Sequence, residues 1–340
     1  MVTRYLVTGA TGFVGGHLTR EILARGGTVT ALVRRPGRAG TLRDQGVRVV
    51  EGDLATGRGL GEASRGADRV IHLAAVVKAR TDAEFWAVNR DGTARLVRAL
   101  AAMPVPPRLV VCSSLAAAGP ARGSGPVSVY GASKLAAEHV VRAYAHRVPA
   151  VILRPGIVHG PGEPALVPPL LQMIRLGLVP KPGFGPRRYG MIHVDDLCGA
   201  LLAAAERGTT VQADDPDAGV HPLSDGVAYR WQDICAAVAE AAGLRAPVVL
   251  PVPVSLLAAV AALAHLAGRL PGLSGDVPAL NRDKVRELRH ADWTCTPAGA
   301  RHDLGFTPTT SLLDGLEAAL RGPTPSEAGS GAVTGQATAP

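Results

Sequence analysis

Tyr130-Gly-Ala-Ser-Lys134 sets a phenol and an ammonium four residues apart, on one face of a helix. A free tyrosine has a pKa of about 10 and is a poor acid–base group at neutral pH. A nearby cation favours the phenolate and lowers that pKa. Tyr130 could then give a proton to a carbonyl oxygen, or take one from an alcohol. Such a pair is common by chance. Its place at the start of the helix after the fifth strand makes it specific. That strand, Leu109-Val110-Val111-Cys112, ends in Ser113-Ser114. A Ser114 hydroxyl at the sheet edge can hydrogen-bond the oxygen that Tyr130 protonates. Serines also favour strand-end turns, which is the plain reading. Ser114, Tyr130 and Lys134 form the candidate catalytic set.

The elements that must position this set begin at the N-terminus. Tyr5-Leu6-Val7 is a short apolar strand, Thr8–Gly15 a glycine-rich turn, and residues 17–25 a helical run. Strand, turn and helix start in succession make a dinucleotide site. Gly9 permits the tight turn, Gly12 lets backbone approach a pyrophosphate, and Gly15 lets helix and strand pack closely. Thr11, Phe13 and Val14 complete the expected contacts, with helix N–H groups facing the phosphates. The second strand ends in Arg34-Arg35-Pro36. An acidic residue there would accept the ribose hydroxyls of NAD and repel a 2′-phosphate. Arginine does the opposite. NADP(H) is therefore favoured and NAD(H) is compatible. The plain reading of both arginines is loop charge facing solvent.

Strands are expected at 4–8, 28–33, 47–51, 69–73, 107–113 and 149–153, with helical patterns at 83–102 and 128–147. Continuous apolar strands separated by helices predict an α/β fold, a doubly wound parallel sheet of Rossmann type with a smaller C-terminal substrate lobe. The dinucleotide-binding domain is expected over 1–153, with 188–213 returning to it. The lobe would comprise 154–187 and 214–321, with an apolar helix near 165–176 and another helix over 191–207. Asp195 or Asp196 would cap the latter. The tail 322–340 has almost no bulky apolar residue and is expected to be disordered. Residues 254–267 are nearly all apolar but too short to span a bilayer, which needs about 20 residues, and His265 and Arg269 interrupt the stretch. A buried helix beside an apolar substrate is the first reading, core filling the second and attachment to a membrane surface the third.

A chain of 340 residues with 47% hydrophobic content can bury a substantial core. The net charge of +8 is spread along helices rather than gathered in one block, so nucleic acid is not an expected partner. Cys112, Cys198, Cys235 and Cys295 are scattered, without the spacing of a metal site or a disulfide framework. The first strand starts almost at once, so no secretory leader and a cytoplasmic setting are expected. A homodimer is compatible with the sequence, which carries no decisive signal for oligomeric state.

The motifs taken together resemble the extended short-chain dehydrogenase/reductases, the superfamily that includes the NAD-dependent epimerases and dehydratases. They are Thr8-Gly9-x-x-Gly12-x-x-Gly15, Gly52-Asp53-Leu54, His72-Leu73-Ala74-Ala75, Val88-Asn89-Arg90-Asp91-Gly92-Thr93, Ser113-Ser114, Tyr130-x-x-x-Lys134 and Arg154-Pro155-Gly156. The resemblance covers about residues 2–321. It is nearest to the branch of 3β-hydroxysteroid dehydrogenases and dihydroflavonol reductases, where Asn281–Leu288 also resembles bacterial members. The resemblance implies that Asp53 holds the adenine amino group, with Leu54 beside the ring. Ala74 and Ala75 would line the ribose and pyrophosphate channel, and Asn89 would brace the fourth helix. Lys134 would also bond the nicotinamide ribose, and Pro155, Gly156 and Val158 would flank the nicotinamide. Asp53 has a turn reading and His72 that of a satisfied strand histidine. Two departures stand out. Ser114 and Tyr130 are only 16 residues apart, so the pocket is more open or its edge is rebuilt by other segments. His159 stands where relatives often have tyrosine. It could contact substrate or be a structural loop histidine. Arg188, with Arg187, could meet a substrate anion, and Leu257 could face the pocket.

The expected activity is that of an NADP-dependent oxidoreductase interconverting a ketone and a secondary alcohol on a largely apolar small molecule. The nearest rival is a nucleotide-sugar epimerase or dehydratase using NAD. Another is a non-catalytic NADPH-binding sensor or assembly subunit, a class in which the catalytic Tyr or Lys is commonly lost.

Overall fold

The computed structural model describes residues 2–123, 125–267 and 282–321. The expected disordered tail at 322–340, and Arg269 and Asn281, lie outside the described residues. The strands, in chain order, are β1 Arg4–Thr8, β2 Thr28–Val33, β3 Arg48–Glu51, β4 Arg69–His72, β5 Arg108–Cys112, β6 Ala150–Pro155, β7 Ile157–His159, β8 Leu178–Pro182, β9 Arg188–His193, β10 Val220–Leu223, β11 Ala228–Arg230, β12 Val248–Val252 and β13 Asp292–Trp293. Seven of them form one sheet in the order β10-β6-β5-β4-β1-β2-β3, parallel at every pairing. The order reverses between β1 and β4, and ligands of such sheets bind beyond the strand ends at that point.

Alternation within the strands feeds two cores. Val7, Val110 and Val151 pack with Leu18 and Ile22 of the helix Phe13–Ala24 and with Leu197 and Leu201 of the helix Val194–Glu206. Their neighbours Leu6, Leu109 and Ile152 pack on the opposite face with Leu96 and Leu100 of Asp91–Ala101 and Val141 of Val129–Ala143. Burial on both faces is why these strands read as continuous apolar runs. A third core gathers Leu170 and Ile174 of the helix Val167–Arg175 with Ile234, Val238, Leu312 and Met191. Beside it, β9 pairs with β7, β11 and β13, and β8 pairs with β12.

Several segments differ from the sequence reading. Val220–Leu223, read as lobe, pairs with β6 at the edge of the central sheet. Four residues including Pro222 carry too little periodicity to announce a strand, and a proline is tolerated at an edge. Residues 191–193 are strand, not helix, because Met191 and Ile192 are fully buried within β9. The helix after them is capped by His193, whose side chain accepts from the Asp195 amide at 3.3 Å. Asp195 pairs instead with His17 at 2.8 Å. Asp196 accepts from the Thr309 amide and hydroxyl at 3.0 and 2.8 Å. On the helix Val254–Ala267, expected to be buried, Leu256 and Val260 are exposed.

Candidate active site

The glycine-rich turn sits at the carboxyl ends of β1 and β4. Gly9 has φ +78°, and a Cβ there would meet the Ala74 amide nitrogen at 2.7 Å. A Cβ at Gly15 would lie 2.1 Å from the Gly9 carbonyl oxygen, so only glycine permits that approach of helix to turn. A Cβ at Gly12 meets only the Gly9 carbonyl oxygen, at 3.2 Å. The helix Phe13–Ala24 opens with no side-chain cap and no acidic residue in its first turn. Its first N–H groups therefore suit an anionic pyrophosphate. Behind the turn, His72 joins the Thr8 hydroxyl at 2.7 Å and the Thr93 hydroxyl at 3.0 Å. Burial pushes its imidazole down to about 3, so it is neutral and fully partnered.

Around this cradle the other expected cofactor contacts take their places. Arg34 and Arg35 are exposed immediately after β2, next to β1 in the sheet. Asp53 accepts from the Ala55 amide at 2.8 Å, which makes it a turn residue. Leu54 is buried in the second core, and Ala74 packs against that core. Ala75 is half-buried after β4, and Val158 packs against the first core. Asn89 lies in a π-helical turn, Trp86–Arg90, inside the otherwise α-helical stretch. Such turns favour functional sites. Its side chain accepts from the Val76 amide at 2.8 Å and donates to the Ser133 hydroxyl at 2.9 Å. Ser133 in turn donates to the Tyr130 carbonyl at 2.7 Å. The loop after β4 is thereby tied to the Tyr130 helix.

Ser114, Tyr130 and Lys134 converge at the carboxyl end of β5. Ser114 caps a short helix by accepting from the Ala116 amide at 3.1 Å, and its side chain shares the cavity wall with the Tyr130 phenol. The Lys134 ammonium donates to the Cys112 carbonyl at 2.7 Å. Burial pushes the phenol up, and the neighbouring Ser114 hydroxyl opposes that rise in part. Burial also pushes the Lys134 ammonium down. In this arrangement desolvation outweighs other influences on the phenol, and the ammonium is held on a backbone carbonyl.

The short connection between Ser114 and Tyr130 is compensated from far along the chain. The helix Arg282–Leu288 packs on the start of the Tyr130 helix. Asp283 accepts from the Val129 and Tyr130 amides at 2.7 and 3.1 Å. Ser128 caps the same helix at the Gly131 amide and donates to Glu287 at 2.9 Å. The edge is thus rebuilt by another segment.

Ser114, Tyr130, Pro155 and Gly156 open onto a cavity of about 440 Å³. Its wall is mainly apolar and includes Leu170, Met173, Trp231, Leu257 and Trp293. The charged residues on it, Lys284 and Glu287, pair at 2.8 Å. Leu257 lines this cavity. His159 and Arg188 do not. His159 is fully buried on β7, edge-on to His193 with ring centroids 5.4 Å apart. It faces Gly315, where an added Cβ would lie 2.6 Å from its ring. Arg188 is exposed and pairs with Asp292 at 3.4 Å. Its neighbour Arg187 is buried on the carbonyls of Pro182, Leu288 and His290.

Sequence reasoning missed three features. Asp283 and Glu287 lie in the Asn281–Leu288 segment that resembles relatives, but nothing in that segment announces its partner. The fully buried Glu138 holds the Arg154 guanidinium and the Ser113 hydroxyl, pinning β5, β6 and the Tyr130 helix together. Met173, Trp231 and Trp293 reach the cavity only through the fold.

Residues 5–215 match the model of the NAD-dependent epimerase/dehydratase family. The chain belongs to that family. It is an extended short-chain dehydrogenase/reductase and an NAD(P)-dependent oxidoreductase. Over 313 residues it is 35% identical to a ceramide reductase of Caulobacter vibrioides, covering 91% of each chain. Over 328 residues it is 30% identical to 4-hydroxy-2-methyl-3-oxo-4-farnesyl-3,4-dihydroquinoline-1-oxide ketoreductase of Stigmatella aurantiaca, covering 93% of this chain and 95% of that one. The solved structure of MoeE5 in complex with UDP-glucuronic acid and NAD superposes with a TM-score of 0.70 at 28% identity, covering 94% of this chain and 98% of that one.

Proposed function

We propose that the protein reduces a ketone on a largely apolar small molecule to a secondary alcohol, with NADPH as cofactor. The observation that carries this reading is that Ser114 and Tyr130 both line a mainly apolar cavity. Ser114 and Tyr130 would both hydrogen-bond the ketone oxygen. Tyr130 would give it a proton, and Lys134 would hold the Cys112 strand end and favour the phenolate left behind. The cofactor, when bound in the glycine-rich cradle, supplies the hydride to the carbonyl carbon. Arg34 and Arg35 at the end of β2 suit a 2′-phosphate. Pro155, Gly156 and Val158 would flank the nicotinamide. Asp53 and Leu54 would sit against the adenine, with Ala74 and Ala75 along the channel between.

The reductase names of two relatives support this reading. MoeE5, bound to a nucleotide sugar and NAD, stands for the rival. A sugar diphosphate calls for several cationic contacts, whereas the cavity's Lys284 is paired with Glu287. A panel of alkyl ketones, with oxidation of NADPH and NADH followed by absorbance, tests the proposal. NADPH should be the better donor. Each methylene that enters the cavity should raise kcat/KM about fourfold, from about 0.8 kcal/mol per buried CH₂. A flat chain-length profile, or preference for a UDP-sugar, would favour the epimerase reading.

A further inference from the structure

We propose that the outer face of the ribbon β8–β12 and of the helix Val254–Ala267 docks on an anionic lipid surface. The delivery of an apolar substrate from that surface rests on the ketone-reduction reading, but the docking does not.

The ribbon has two unlike faces. Val179 is fully buried and belongs to the third core. Leu178 is the register partner of Val248, and Leu250 follows two residues on, so these three share the other face. They are exposed, as are Phe184 just past β8 and Leu256 and Val260 on the helix, with values between 44% and 73%. Leu256 and Val260 are one helical turn apart and therefore share a face. Apolar patches of this kind on a protein surface mark interaction sites.

The same elements wall the cavity from within. Pro180 and Pro182 of β8 line it, two and four residues after the exposed Leu178 and on its strand face, as does Leu257 of the helix, next in sequence to the exposed Leu256. The exposed Leu178 and the cavity-lining Pro180 and Pro182 thus share one face of the ribbon. An apolar molecule leaving a bilayer along this route would meet little polar surface before reaching Tyr130.

Charge selects the partner. Residues 164–190 and 244–260 contain no Asp or Glu, and their cations include Arg175, Lys181 and Arg245. Arg175 and Arg245 are exposed at the end of the helix before β8 and just before β12. Cations flanking an apolar face are the composition that binds anionic headgroups. A second copy fits less well, since a two-fold contact would set this face against itself and its cations against like charges. Among the described residues no helix is long and apolar enough to cross a membrane, so the face would lie on the surface.

The test is co-sedimentation of the full chain, without cofactor or ketone, with two kinds of vesicle. One is phosphatidylcholine alone and the other contains phosphatidylglycerol. The chain should pellet with the anionic vesicles, and added salt should release it. Leu178→Glu combined with Leu250→Glu should reduce the bound fraction about tenfold, and Arg175→Glu with Arg245→Glu should do the same. Neither pair lines the cavity, so both variants should melt like the wild type and turn over a short water-soluble ketone at its rate. The proposal is overturned if the wild type stays in solution with anionic vesicles, or if the variants pellet equally. It is also overturned if sedimentation velocity shows a dimer that Leu178→Glu with Leu250→Glu dissociates. Failure of turnover on every ketone would instead strike the ketone-reduction reading and leave the vesicle result standing.

Discussion

Replacing Asp283 with alanine should slow turnover about 30-fold while leaving NADPH affinity within about twofold. The carboxylate accepts from two successive amides, Val129 and Tyr130, at 2.7 and 3.1 Å. Both belong to the first turn of the Tyr130 helix, where N–H groups have no intrahelical partner and a negative charge is favoured. The Asp283 side chain is only 14% exposed, so water replaces it poorly. Hydrogen bonds to a charged group contribute about 1.5–3 kcal/mol each. Partial hydration of the freed amides reduces the pair to about 2 kcal/mol, which is about 30-fold in the population of the docked arrangement. Ser128 still caps Gly131, so the helix should persist while its first turn loosens. Asp283→Asn keeps one acceptor oxygen and should fall between wild type and alanine. Steady-state oxidation of NADPH with the best ketone of the panel gives kcat, and fluorescence titration gives cofactor affinity. A melting curve separates local loosening from unfolding. If Asp283→Ala leaves kcat within twofold, or weakens NADPH binding as much as turnover, the amide clamp does not position Tyr130.

Tyr130→Phe should lower kcat by about 10²–10⁴-fold, the usual contribution of a general acid, with NADPH affinity nearly unchanged. Retained turnover in a steady-state assay would move the acid elsewhere. Arg34→Asp should weaken NADPH binding far more than NADH binding, because it removes a 2′-phosphate partner and adds a repelling charge. Equal losses in a binding titration would end that role. His159, pushed by burial from 6.5 down to about 4, resists protonation in the fold but not in the unfolded chain. Its contribution is therefore fully present above about pH 6.5 and is lost as pH falls toward 4, at about 1.4 kcal/mol per unit or about 3 kcal/mol in all. Denaturant titrations across that range should show the decline, and His159→Leu should flatten part of it, since His72 changes in the same sense. An unaltered slope in the variant would remove His159 from the account.

Much of the central sheet was legible because its code is local. Runs such as Leu109-Val110-Val111 and Val151-Ile152-Leu153 are apolar on both strand faces, and burial on both faces demands that. The glycines at 9 and 15 were legible because backbone approach closer than 3 Å admits no side chain. Ser114, Tyr130 and Lys134 were legible as residue types at a spacing, and the fold brings them to one sheet edge. Sequence could not say which way a side chain faces on a short element. His159 ends a three-residue strand, too brief for a period, and only packing against His193 and Gly315 turns it inward. The helix over 254–267 is apolar all round, so its sequence alone did not separate the exposed Leu256 from the cavity-lining Leu257. The partner of the Tyr130 helix was beyond local reading altogether. Asp283 meets Val129 across 154 residues of chain, and a contact that distant leaves no periodicity in either segment. Local pattern therefore determined the sheet and the reactive set, while tertiary packing decided what encloses them.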